Sequence, residues 1–178
     1  MKPTDRANLL GPNHIREAVI SDCQLYRFRL LRRVPYAMRT TVLFCLNNPS
    51  VANATLDDPT VRRCYGFARF WGYTEIQIVN TNPYRSTDPD SAQMPPEDVL
   101  RTNDSYLSVA ARDSDVVVAA WGTKANPVLA ERALNVLRLW KNVYTLGLSA
   151  TGTPKHPLYL PKETYLEKWK MRHDPLAT

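Results

Sequence analysis

Apolar and polar positions change period along the chain, and the changes mark its elements. Val42-Leu43-Phe44-Cys45-Leu46 is an unbroken apolar run that stops at Asn47-Asn48-Pro49. A short run of this kind, closed by turn formers, predicts a strand buried on both faces. Ile76-Gln77-Ile78-Val79 repeats the pattern within a strand expected over Glu75 to Asn80, and the loop Asn80-Thr81-Asn82-Pro83-Tyr84-Arg85 follows. Val116 to Ala120 does so again before Trp121-Gly122-Thr123, and a fourth strand is expected over Asn142 to Leu146. Between the first two runs, Val61, Cys64, Tyr65, Ala68 and Trp71 fall at helical spacing. A helix is therefore predicted from Pro59 to Phe70 or Trp71, capped by Asp58 and stopped by Gly72. Two more helices are expected, from Pro96-Glu97 to Arg112 and from Pro127 to Leu139 or Trp140, with a short last one over Thr164 to Arg172. Near the start, Tyr26-Arg27-Phe28-Arg29-Leu30 alternates with period two. That predicts a half-exposed strand with its arginines on the wet face, forming an antiparallel hairpin with the segment Ala37 to Leu46.

Strands alternating with helices predict a single α/β domain over residues 1–178, with 1–17 as a loose arm and 173–178 as a frayed tail. The expected architecture is a three-layer sandwich around a mostly parallel central sheet of about four or five strands. Parallel strands deliver their carboxyl-end loops to one rim, where open α/β sheets bind ligands. The polar loops Asn47 to Ser50, Asn80 to Thr87, Trp121 to Lys124 and Ser149 to His156 are therefore expected to converge.

Composition narrows the classes. A chain that is 44% hydrophobic and 22% charged has the balance of a globular protein. No segment reaches the roughly 18 consecutive apolar residues of a membrane span, and the first residues lack the apolar core of a secretory signal. A cytoplasmic protein with no membrane contact is the expectation. Cys23, Cys45 and Cys64 form no CxxC pair and are odd in number, which argues against a disulfide framework, a structural zinc site or an iron–sulfur cluster. Neither metal nor cofactor is expected. The net charge of +6 favours a polyanionic partner.

Four motifs in fixed order carry a resemblance. LNNPSVANATLDDPTVRRCYGFARFWGY, then VNTNPYRSTDP, AAWG and KHPLYLP resemble a bacterial and phage family catalogued as domain-of-unknown-function family 1643, over roughly residues 20 to 165. Asn47 departs from the pattern, standing where an apolar residue is more usual. More distantly, the chain resembles the uracil-DNA glycosylase superfamily. Leu46-Asn47-Asn48-Pro49-Ser50 is similar to its water-positioning loop, Val79-Asn80 to its base-reading loop, and His156-Pro157-Leu158-Tyr159-Leu160 to its histidine loop. The resemblance implies a uracil-DNA glycosylase-like fold and hydrolysis of an N-glycosidic bond in DNA by a monomer. It also implies a target such as the glucosylated hydroxymethylcytosine of phage DNA, excised in anti-phage defence.

Base excision builds positive charge on the sugar and negative charge on the departing base, so it needs a held water, donors for the base and clamps on phosphate. On that reading Asn48, His156 and Asp57 are the candidate catalytic residues, with Asp58 competing with Asp57 but also required as a helix cap. Asn80 offers a donor and an acceptor to a base edge, and Tyr65, Phe67 and Tyr84 offer stacking faces. Ser50, Arg85, Lys124, Ser149, Thr151 and Lys155 are the candidate phosphate contacts. His14 and His173, near the ends, read as incidental. Two other classes remain compatible with these residues: a nucleotide- or base-modifying transferase, and a non-catalytic nucleic-acid-binding module of the same fold.

Overall fold

The computed structural model describes residues 14–170. Its seven strands are β1 (Ile15–Ile20), β2 (Arg27–Arg33), β3 (Thr41–Leu46), β4 (Glu75–Asn80), β5 (Val116–Ala119), β6 (Val143–Thr145) and β7 (Glu167–Lys168). They form one sheet in the order β1-β2-β4-β3-β5-β6-β7. The three helices are α1 (Pro59–Phe70), α2 (Glu97–Arg112) and α3 (Pro127–Arg138). Among the described residues no helix is long and apolar enough to cross a membrane.

β3 shows why the apolar runs sit in the middle. Alternate residues of a strand face opposite sides. Val42, Phe44 and Leu46 enter the apolar cluster shared with Val61, Cys64, Phe67 and Ala68 of α1. Leu43 and Cys45 enter the opposite cluster with Leu107 and Ala111 of α2 and with Ala133, Leu134 and Leu137 of α3. Both faces of the strand are dry, so no polar position interrupts the run. The helices therefore form a layer on each side of the sheet, as expected.

The sheet itself is mixed, not mostly parallel. β4, β3, β5 and β6 run parallel, but β1 and β2 are antiparallel additions on one side and β7 is antiparallel to β6 on the other. The hairpin partner of β2 is β1, from Ile15 opposite Arg33 to Ile20 opposite Arg27, and its other neighbour is β4, so it does not pair with β3. Most of the segment expected as a loose arm is thus either the strand β1 or outside the described residues, as is the tail 173–178. Over its described part, the helix expected from Thr164 to Arg172 is replaced by an extended segment in which Glu167 and Lys168 pair with β6, residues 171 and 172 lying outside the described residues.

The arginines of β2 correct the simple alternation. Arg27 is only 2% exposed and Arg32 is fully buried, while Arg29 is half-buried beside Glu17. Burial of a guanidinium is tolerated because partners come to it. Arg32 Nε donates to Asp57 Oδ1 at 2.7 Å, and its Nη atoms donate to the carbonyls of Leu31, Asn53 and Leu56. Arg16 Nη1 takes the other Asp57 oxygen at 3.2 Å.

Removing one member of a buried ion pair strands the other. Asp57→Ala is expected to lower stability by about 3–5 kcal/mol, read from the urea midpoint at constant slope. An unchanged midpoint would show that Arg32 does not depend on that carboxylate.

Candidate functional site

The parallel strands are laid out so that β3 connects through α1 to β4 on one side, while β5 connects through α3 to β6 on the other. The reversal falls between β3 and β5, and a crevice opens outside the carboxyl ends of strands at such a point. A cleft of about 680 Å³ lies there. All four polar loops reach it: Asn48 and Ser50 after β3, Ser86 and Thr87 after β4, Trp121 to Lys124 after β5, and Ser149, Lys155 and His156 after β6. Asp58 at the start of α1 and Tyr159 beyond the histidine complete the walls.

Asn48 has a fixed orientation. Its Nδ2 donates to the Ser86 carbonyl at 2.9 Å and to the Pro49 carbonyl at 3.3 Å. Both amide hydrogens are thereby engaged by backbone, and Oδ1 is left as the group that can accept a bond from a ligand. The loops after β3 and β4 are tied again by the Asn47 carbonyl, which accepts from Asn82 N at 3.0 Å and from the Thr81 hydroxyl at 3.1 Å.

His156 begins a short turn over Pro157–Tyr159, and its Nδ1 accepts a long hydrogen bond from Leu158 N at 3.4 Å. In the neutral imidazole the proton then belongs on Nε2, which becomes a donor. Burial lowers the pKa of His156 from its ordinary value of 6.5, opposed by the nearby Asp58 carboxylate. The folded chain therefore binds fewer protons than the unfolded one between the lowered value and 6.5. The stability this confers is present above that window and is lost as the pH falls through it.

Asp58 is 8% exposed and caps α1, accepting from Val61 N at 2.8 Å through Oδ1. The cap thus faces the cleft as well as serving the helix. Gly122 lets two loops meet: it has a φ of +78°, and a Cβ added there would lie 3.0 Å from the Cβ of His156. Its N–H donates to the Pro154 carbonyl at 3.0 Å.

Of the residues singled out from sequence, Asn48, His156, Ser50, Lys124, Ser149 and Lys155 line this cleft. Seven others do not. Asp57 is held beneath it by Arg32 and Arg16, and its neighbour Asp58 supplies the carboxylate on the wall. Asn80 is fully buried, its Oδ1 accepting from Arg27 Nη2 at 3.1 Å and its carbonyl from Asn103 Nδ2 at 3.0 Å. Tyr65 is buried with its hydroxyl 3.0 Å from His14 Nε2, and Phe67 is buried against Trp71. Tyr84 packs edge-on against Tyr26, and Arg85 Nη1 donates to the Gln24 carbonyl at 2.9 Å. Thr151 is exposed beside Ser149, the two hydroxyls 2.9 Å apart. His173 lies outside the described residues.

Two residues at or near the site, Tyr159 and Arg27, are given no role by the sequence, while Trp121 lies in a loop that was expected at the rim. Tyr159 is 88% exposed and Trp121 is buried, yet both line the cleft. Arg27 does not line it but holds the loops that do, with Nη1 donating to the Ala52 carbonyl at 3.0 Å and its backbone N–H to the Pro83 carbonyl at 3.0 Å. Burial pulls its pKa down to about 10, partly offset by Asp58, so it stays cationic at neutral pH. The alternating pattern of β2 concealed it, since periodicity cannot report partners that arrive from distant loops.

The model of a family described as "Protein of unknown function (DUF1643)" matches residues 27–158. The chain belongs to this family. No curated protein and no solved structure matches it. The region matched to the DUF1643 family begins at the buried Arg27 and runs two residues past His156, so it spans all four loops of the cleft.

Two substitutions test this geometry. Asp58→Asn keeps a good cap but removes the charge that favours imidazolium, so the His156 titration followed by NMR is expected to move further down. Gly122→Ala combines left-handed strain of about 1–2 kcal/mol with the close approach to His156. It is expected to lower the denaturation midpoint and to shift the His156 ring resonances.

Proposed function

We propose that the chain is a DNA glycosylase related to the uracil-DNA glycosylase superfamily, which extrudes a modified base into the cleft and hydrolyses its bond to deoxyribose. One observation carries the reading. Asn48, with its amide locked so that Oδ1 is the free acceptor, and His156, with its proton assigned to Nε2, come from loops more than a hundred residues apart in sequence and line the same cleft. The volume of about 680 Å³ lies within the range of small-molecule sites.

In this reading Asn48 Oδ1 accepts a hydrogen bond from the attacking water and aims its oxygen at C1′. The C1′–N bond breaks as the C1′–O bond forms. The bonding pair leaves with the base, whose developing negative charge is stabilised by the Nε2–H of His156. The proton lost by the water passes to the Asp58 carboxylate or to solvent. Neutral histidine suits this task, because a donor is needed and a fixed positive charge is not. Lys155 and Lys124 supply cations for the flanking phosphates, and Tyr159 offers an exposed ring on which the extruded base can stack. A glucosylated hydroxymethylcytosine of phage DNA is the substrate we propose, with defence against phage as the setting.

The test is mass spectrometry of bases released from a panel of modified DNAs incubated with the full chain. Release from glucosylated DNA, leaving abasic sites, is expected, with Asn48→Ala and His156→Ala each slowing it by roughly 100-fold or more. A reaction that requires a cosubstrate would indicate a transferase instead. Binding without any released base under every substrate would leave only a recognition module.

A further inference from the structure

A second groove, of about 530 Å³, runs along α1 and shares Pro59 and Leu158 with the wall of the cleft. Arg62, Arg63 and Lys162 bring three cations to it, against the single carboxylate of Glu163. Arg62 is steadied by donating to the Asp57 carbonyl at 2.6 Å. Arg63 lies over the ring of Phe67, with its guanidinium carbon 4.9 Å from the centroid, and its buried Nε has no hydrogen-bond partner. Among the described residues neither Arg63 nor Lys162 has a carboxylate within ion-pairing distance. Gly66 is an exposed position on the groove, where a Cβ would meet nothing within 4 Å.

At the far end stands an aromatic step. Phe70 lines the groove at 41% exposed and is met edge-on by Tyr165, 71% exposed, with ring centroids 5.4 Å apart. Tyr159, 88% exposed, stands at the near end on the cleft wall. Exposed rings at both ends of a cationic track are poorly explained by folding, which would bury them. Cations that follow a backbone, with rings on which bases stack, are the two components of a single-strand nucleic-acid site.

We propose that this groove binds the nucleic-acid strand that continues from the nucleotide held in the cleft, with Arg63 and Lys162 on its phosphates and an unpaired base against Phe70. The inference rests on the glycosylase reading for what occupies the cleft and adds a path for the rest of the substrate. Arg62 to Phe70 spans eight helical steps, about 12 Å of rise, so the contacts reach past the target nucleotide. It follows that a single-stranded or locally opened substrate is preferred over an intact duplex, and that a free nucleotide makes only the contacts of the cleft.

The experiment measures fluorescence anisotropy of a labelled single-stranded oligonucleotide with the full chain across a salt series, with a matching duplex and a deoxynucleoside monophosphate as competitors. For the wild type, tighter binding of the single strand than of the duplex is expected. Arg63→Ala combined with Lys162→Ala is expected to weaken strand binding about tenfold and to make the log–log salt slope shallower by about 1.4, at roughly 0.7 per phosphate contact. Phe70→Ala is expected to weaken it about tenfold with the slope unchanged, because stacking releases no counterions. Competition by the monophosphate should be the same in all variants. Circular dichroism melting confirms that each variant is folded, and Arg63→Glu, expected to be weaker than Arg63→Ala, separates charge from packing. Unaltered affinity and slope in the double variant, or wild-type binding that favours the duplex, would overturn the proposal. Strand binding that obeys these expectations with no base released would uphold the groove and reject the glycosylase reading. Base release with an unchanged KM in the groove variants would do the reverse.

Discussion

Two buried guanidinium groups on β2 hold the segment that links the tip of β3 to the start of α1. Arg27 takes the Ala52 carbonyl, and Arg32 takes the carbonyls of Asn53 and Leu56 together with the Asp57 carboxylate. A buried cation is stable only while its partners stay in place. The dependence is mutual: the loop must keep its shape to satisfy the arginines, and that shape delivers Asp58 to the end of α1 facing the cleft. The edge hairpin contributes no wall residue among those lining the cleft, yet it sets the geometry of one side of it.

The other sides follow from topology. Strands β3 to β6 are parallel, so four loops emerge at one rim, and the change of winding direction between β3 and β5 parts the flanking helices there. Short-range devices then align the loops. Ser86 and Pro49 orient the Asn48 amide, Asn47 accepts from two residues after β4, and Gly122 allows the β5 loop to lie against the histidine loop. The cleft is thus built largely of backbone contacts between loops that are remote in sequence.

Much of the frame was legible because its causes are local. The apolar runs of β3, β4 and β5 report burial on two faces, Asp58-Pro59 announces its helix through a cap that does form, and Pro127 opens α3 as expected, with a cap from Asn126 that was not expected. The convergence of four loops followed from parallel strands alone. What escaped depends on distant partners. Alternation in β2 placed Arg27 and Arg29 in water, whereas the Ala52 carbonyl and Asn80 draw Arg27 inside; Arg32, outside that alternating run, is drawn in by Asp57. Asp57 and Asp58 are adjacent and chemically identical, and only the direction of the chain at the cap sends one to the arginines and the other to the cleft. Asn80, Tyr65 and Phe67 carry suitable chemistry but end up inside the domain. The segment after Thr164 has no strong period, and pairing with the free edge of β6 decided it.

The mouth of the cleft carries a further consequence. Lys124 Nζ meets Asp90 Oδ2 at 2.6 Å, with both side chains largely in solvent, and this contact joins the loop after β5 to the turn at Pro89–Ser91. An exposed pair of this kind contributes little to the folded state. The Lys124 ammonium can therefore exchange this carboxylate for another anion at the cleft wall with small loss of stability. The tie between the loop after β5 and the Pro89–Ser91 turn is thus held by a contact that salt itself weakens.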